Sequence, residues 1–169
     1  MTDYLGVSRR DIGAGLAAGV SALLVAVMIN LWNFFQTFRP RGFDSASLAG
    51  YRRGSEIIFL GTIVTPVVAL IVATVIWRLM MPDEPNSVFG AVAGVVSALG
   101  SLFIFATLIG LMFSLSQFSA GSLVSAVSEF IFITAVIALF GGIITLPIAA
   151  PLGAFVGYGY EWYFARRES

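Results

Sequence analysis

Four long stretches of this chain carry no charge at their centres, and nothing else in the sequence limits the fold as tightly. They run from about Ile12 to Phe35, Ile57 to Met81, Val88 to Leu115 and Phe130 to Gly157. An α-helix rises about 1.5 Å per residue, so about 20 apolar residues cross a hydrocarbon core of about 30 Å. Each stretch is long enough. The composition agrees: 59% of residues are hydrophobic and only 11% charged, where soluble domains carry about 25% charged residues. A water-soluble domain would have too few polar groups to cover its surface, whereas lipid tolerates an apolar exterior. The expectation is an all-α integral membrane protein with four transmembrane helices, multi-pass, in the cell membrane.

The chain reads as a single membrane domain over 1–169, with a first hairpin over 12–81, a second over 88–157 and an interfacial C-terminal segment over 158–169. "QTFRPRGFDSASLAGYRRGS" forms a polar loop between the first two spans. "PDEPNS" reads as a tight turn between the second and third, since a helix interior rejects such prolines. "SLSQFSAGSLVSAVS" joins the last two. The fourth stretch holds about 28 residues, roughly 42 Å as a straight helix, which exceeds one crossing. Gly141-Gly142, Pro147 and Pro151 predict a kink or break there. Beyond it, Tyr158, Tyr160, Trp162 and Tyr163 read as an aromatic belt, with Arg166 and Arg167 at the headgroups. The N-terminal "SRRDIGAGLAAGV" superficially resembles a twin-arginine signal. Its apolar run exceeds the 7–15 residues of a signal core, so it is expected to remain as the first span.

A Ser-Glu pair precedes nearly the same apolar run twice: "SEIIF" at 55–59 and "SEFIF" at 128–132. The helices ahead of them correspond as well. "GLAAG" at 15–19 matches "GAVAG" at 90–94, and "AGVSAL" matches "AGVVSAL". Two tandem hairpins entering the membrane from the same side form a parallel repeat, related by an axis along the membrane normal. Glu56 and Glu129 would then lie at one membrane face. Ser55 and Ser128 are suited to cap the helices that follow them, with each Glu complementing the helix dipole. The alternative places Glu56 and Glu129 on an ion or substrate path.

The GxxxG pairs Gly15/Gly19 and Gly90/Gly94, with Ala149, Gly153 and Gly157 at the same four-residue spacing, are candidate helix-packing surfaces. Lipid supplies no hydrophobic drive between helices, so close approach through small residues favours association. They serve either the chain's own bundle or a homo-oligomer or larger membrane complex. Asn30 and Asn33 share a helix face. They suit either an interhelical hydrogen bond or a substrate contact. Arg39, Arg41, Arg52 and Arg53 make the first loop basic, as flanking charge or as a site for anionic lipid headgroups.

Several chemistries are disfavoured. The chain has no Cys and no His, the nine basic residues are all Arg, and formal net charge is zero. Thiolate chemistry, the commonest metal ligand and the usual general base are therefore missing. No catalytic, metal or cofactor-binding residues are assigned, no cofactor is expected, and nothing points to nucleic acid. Ion-coupled transporters depend on charged residues inside their spans, and these spans lack them at their centres. Arg9, Arg10, Arg78, Arg166 and Arg167 on the terminal side slightly outnumber the four loop arginines, which favours cytoplasmic termini. The leading expectation is a non-catalytic scaffold or accessory subunit that is not an enzyme. A small oligomeric channel or transporter and an anionic-lipid-binding protein are the alternatives.

Overall fold

The computed structural model describes residues 9–40, 42–82, 84–119 and 123–168, and the elements formed among them are all helical. Helix α1 is Arg9–Phe38, α2 Ser45–Met80, α3 Ser87–Ser119, α4 Leu123–Val136 and α5 Gly142–Glu168. A π-helical turn at Ile137–Gly141 links α4 to α5, so the three form one rod. Four helical stretches are long and apolar enough to cross a membrane: Arg10–Phe38, Leu60–Met80, Ser87–Ser116 and Leu123–Arg166.

Two boundaries differ from the sequence expectation. The first polar loop is mostly helix: α1 runs to Phe38 and α2 already starts at Ser45. Gly42, at φ +69°, closes the C-terminus of α1 by donating its amide to the Phe38 carbonyl at 2.9 Å; Gly tolerates this left-handed conformation. The Asp44 carbonyl then accepts the Leu48 amide at 3.0 Å and opens α2. Ser55 therefore lies inside a helix, as does Ser128, and neither is an N-cap. The Ser128 hydroxyl instead donates to the Ser125 carbonyl at 2.9 Å. In the fourth rod, Pro147 and Pro151 both lie within α5. The departure from α-helical geometry falls at the π turn, beside the Gly141-Gly142 pair and ahead of the prolines, where the Gly142 amide is shared by the Ala138 and Leu139 carbonyls.

Most of the buried positions are small, and most of the large apolar side chains face outward. Ala14, Ala73, Ala93 and Ala106 are buried, while Met28, Phe103, Ile143 and Phe155 stand exposed. A bundle in lipid takes this form because its helices gain from backbone proximity, not from hiding bulky apolar groups. Helix α1 packs mainly on α2, and α3 packs on α4 and α5. The two hairpins meet through α2 and α3, while α1 touches α5 sparsely. The α3–α5 approach is the closest. Gly90 and Gly94 interlock with Gly157 and Gly153, and a methyl added at Gly153 would stand 2.5 Å from the Gly94 carbonyl oxygen. In the first hairpin, Gly19 faces the Pro66 carbonyl and Leu70, while Gly15 lies against Leu70 and Thr74.

Candidate functional site

All four rods meet at one carboxylate. Glu161, near the end of α5, is fully buried. Its Oε1 accepts from Arg10 Nε of α1 and from Trp77 Nε1 of α2, each at 3.0 Å. Its Oε2 pairs with Arg10 Nη2 and accepts the Asn86 amide, ahead of α3, at 3.3 Å. Arg10 Nη1 reaches on to the Pro82 carbonyl in the α2–α3 turn at 3.0 Å. A carboxylate offers about four lone-pair positions, and here four donors occupy them. The fork geometry of Arg suits such a two-oxygen partner.

Local sequence explains each participant. Asn86 caps α3, its Oδ1 accepting the Val88 and Phe89 amides at 3.0 and 3.2 Å, the standard work of an N-cap side chain. That cap presents the Asn86 amide to Glu161. Gly13 leaves room for Tyr160, whose hydroxyl donates to the Arg10 carbonyl at 2.9 Å. Trp77 meets Tyr160 edge to face, with centroids 6.2 Å apart. Ala14, Trp77 and Ala93 form the buried cluster beneath the node.

Below Trp77 and Tyr160 lies a cavity of about 380 Å³ in the middle of the bundle. Its walls are mainly Ala, Gly, Ser and Thr from α1, α2, α3 and α5. Four of the hydroxyls on these walls donate to their own helices. Ser21 donates to the Ala17 carbonyl, Ser97 to Ala93, Ser101 to Ser97 and Thr145 to Gly141, at 2.6–2.8 Å. The cavity therefore presents few free donors despite its polar residue names. On the α1–α5 side, the described contacts cluster at the node, where Arg10 meets Glu161 and Gly13 meets Tyr160.

The structure separates several residues that the sequence grouped. Asn30 lines the cavity and donates to Thr62 Oγ1 at 2.5 Å and to the Ala26 carbonyl at 2.8 Å, joining α1 to α2. The Asn33 carbonyl accepts the Thr37 hydroxyl at 2.8 Å. Glu129 is half-buried on α4 and is not among the residues lining the cavity. The side chains of Glu56 and Arg53, and the whole of Arg41, lie outside the described residues. Among the described residues, helices α2 and α4, which carry the two Ser-Glu pairs, share few contacts if any. Arg39 and Arg52 are exposed. Near them, Phe34, Phe38, Phe43 and Tyr51 form an aromatic cluster, with Phe38 and Phe43 stacked at 4.6 Å. Gly15, Gly19, Gly90, Gly94, Gly153 and Gly157 all face other helices of the same chain, and Ala149 lines the cavity.

Glu161, Arg10 and Trp77 were not singled out from the sequence. A signal existed. Ala149, Gly153 and Gly157 recur every four residues, and the next position in that series is Glu161. An acid on the packing face of a helix calls for a buried cation. Tyr160 also departs from the expected belt, because it turns inward to Trp77 while Tyr158, Trp162 and Tyr163 remain exposed. Among the described residues, no three Asp or Glu side chains converge as a metal site. Comparison with protein-family models, with curated proteins and with solved structures finds no match to this chain.

Proposed function

We propose that this chain is a non-catalytic integral membrane protein, a scaffold or accessory subunit built as a self-fastened bundle. The observation that carries this reading is the node at Glu161. The most polar cluster among the described residues has its acceptor oxygens filled by structural donors, which leaves little for proton transfer or ligand exchange. The Gly faces serve the bundle itself, so a partner or second copy would meet the large outward side chains. Two tandem hairpins are supported by the shared place of Gly15/Gly19 and Gly90/Gly94, each on the first helix of its hairpin against the second. The π turn at Ile137–Gly141 supports a bend in the fourth rod. Cytoplasmic termini follow from the slight arginine excess on the terminal side.

Native mass spectrometry of the gently solubilised protein, with lipid retained, tests the reading. A different protein bound in fixed stoichiometry supports the accessory-subunit role. Solute flux in proteoliposomes that falls when Glu56→Gln and Glu129→Gln are combined overturns it in favour of a transporter.

A further inference from the structure

We infer that the central cavity is a binding site for one long hydrocarbon chain, admitted from the membrane between α1 and α5. Its lining runs from Ala14 to Asn30 on α1 and from Gly61 to Trp77 on α2, so at 1.5 Å per residue it is about 24 Å long. A volume of about 380 Å³ spread over that length makes a space only a few ångströms across. A helix about 10 Å across needs roughly 80 Å². The space is too thin for a partner helix and too long for a compact solute.

Water is a poor occupant. A buried water needs about 2–4 polar partners; Ser21, Ser97, Ser101 and Thr145 turn their hydrogens to their own helix carbonyls and leave only scattered acceptor oxygens along a wall made mostly of Ala, Gly and larger apolar side chains. The fluid around these segments is hydrocarbon, and a leaflet about 15 Å deep supplies chains that fit lengthwise. The node closes one end, because Tyr160 and Trp77 line the cavity directly below Arg10 and Glu161. The sparse α1–α5 boundary offers the lateral entry from the membrane. The ligand is an acyl chain, whether of a free fatty acid or of a bilayer phospholipid. This binding role is independent of the scaffold reading, since a chain-binding bundle can act with or without a protein partner.

Trp77 provides the readout. It is 3% exposed and lines the cavity, whereas Trp32 and Trp162 are exposed. In a Trp32→Phe, Trp162→Phe variant, Trp77 is the sole tryptophan, and chains carrying bromine at successive carbons quench it only from inside. The expected result is loss of Trp77 emission with brominated chains, and recovery when Ala22→Phe or Ala149→Phe fills the cavity from opposite walls. Outward-facing Leu24→Phe is the control and leaves quenching intact. Retained circular dichroism and thermal melting show that each filler still folds. Quenching by brominated fatty acid alone identifies a free chain as the ligand; quenching also by brominated phosphatidylcholine in bilayers identifies a lipid tail. Unquenched Trp77, in bilayers where a Trp32-only variant is quenched, overturns the proposal. Quenching that survives both filled cavities overturns it as well.

Discussion

At one end of the bundle Arg10, Trp77, Asn86 and Glu161 converge through directed hydrogen bonds, while at the other Phe34, Phe38, Phe43 and Tyr51 converge as rings. The first arrangement joins all four rods through one buried carboxylate. Among the described residues, the second gathers the C-terminal turns of α1, the short connection and the N-terminal turns of α2. A buried charge penalises every geometry that leaves it unpaired, so the node fixes register. Ring contacts tolerate small shifts, since tilted, stacked and edge-on pairs differ little in energy. One end is therefore specified and the other merely cohesive. The glycine seam between α3 and α5 continues from the specified end, since Gly90 lies against both Glu161 and Gly157.

The largest expected effect lies in that seam. Gly94→Leu drives a side chain into the Gly153 backbone. Neither helix can yield without moving the whole rod, so a loss of about 4 kcal/mol or more is expected. Unfolding followed by circular dichroism during SDS titration measures it. A Gly94→Leu protein as stable as the parent would show that α3 and α5 do not approach as described.

Next comes the node itself. Glu161→Ala removes the carboxylate that pairs Arg10 and accepts from Trp77, and removal of one partner from a buried pair costs about 3–5 kcal/mol. Glu161→Gln, which keeps the shape and one acceptor, should lose less. The combined change Arg10→Met with Glu161→Met should recover part of the stability, because no charge is left buried without its partner, although Trp77 Nε1 and the Asn86 amide still lose their acceptor. If the double variant is no better than Glu161→Ala, the pair is more than a fastening and the specified end has a further role.

How legible this contrast was in the sequence depends on what each residue needs from afar. Span number and helical class follow from local hydropathy, and they agree with the structure. The spacing of Gly90, Gly94, Gly153 and Gly157 is local too, and it marked them as candidate packing positions. Their partners were not assigned, since small residues mark a face without naming what covers it. Glu161 was missed for the opposite reason. Surrounded by Tyr160, Trp162 and Tyr163, it resembles an interfacial residue, and only the fold brings Arg10 to it across 151 positions of chain. The Ser-Glu pairs misled by looking like helix starts, although Ser45 begins α2 well before Ser55.

At the cohesive end, Phe38 is the buried ring, 7% exposed, between Phe34, Phe43 and Tyr51. Phe38→Leu keeps much of the apolar area and removes the ring geometry, so about 0.5–1.5 kcal/mol should be lost. The same SDS titration reads it. A loss matching that of Glu161→Ala would erase the distinction between the two ends.

The smallest effect sharpens the comparison midway along the first hairpin. Asn30 and Thr62 form a side-chain hydrogen bond between α1 and α2, which resembles the node in kind but not in consequence. Both groups are neutral, and Asn30 also has the Ala26 carbonyl within reach, so neither is stranded as a charge would be. Bonds of this kind inside membranes average about 0.6 kcal/mol, and Asn30→Ala should cost about that much. Because Asn30 also lines the cavity, the substitution enlarges the space slightly without blocking it. A double-mutant cycle with Thr62→Val separates the hydrogen bond from the change in volume. A coupling near the measured membrane average places specificity in the buried charge; a coupling of several kcal/mol would extend it down the whole α1–α2 interface.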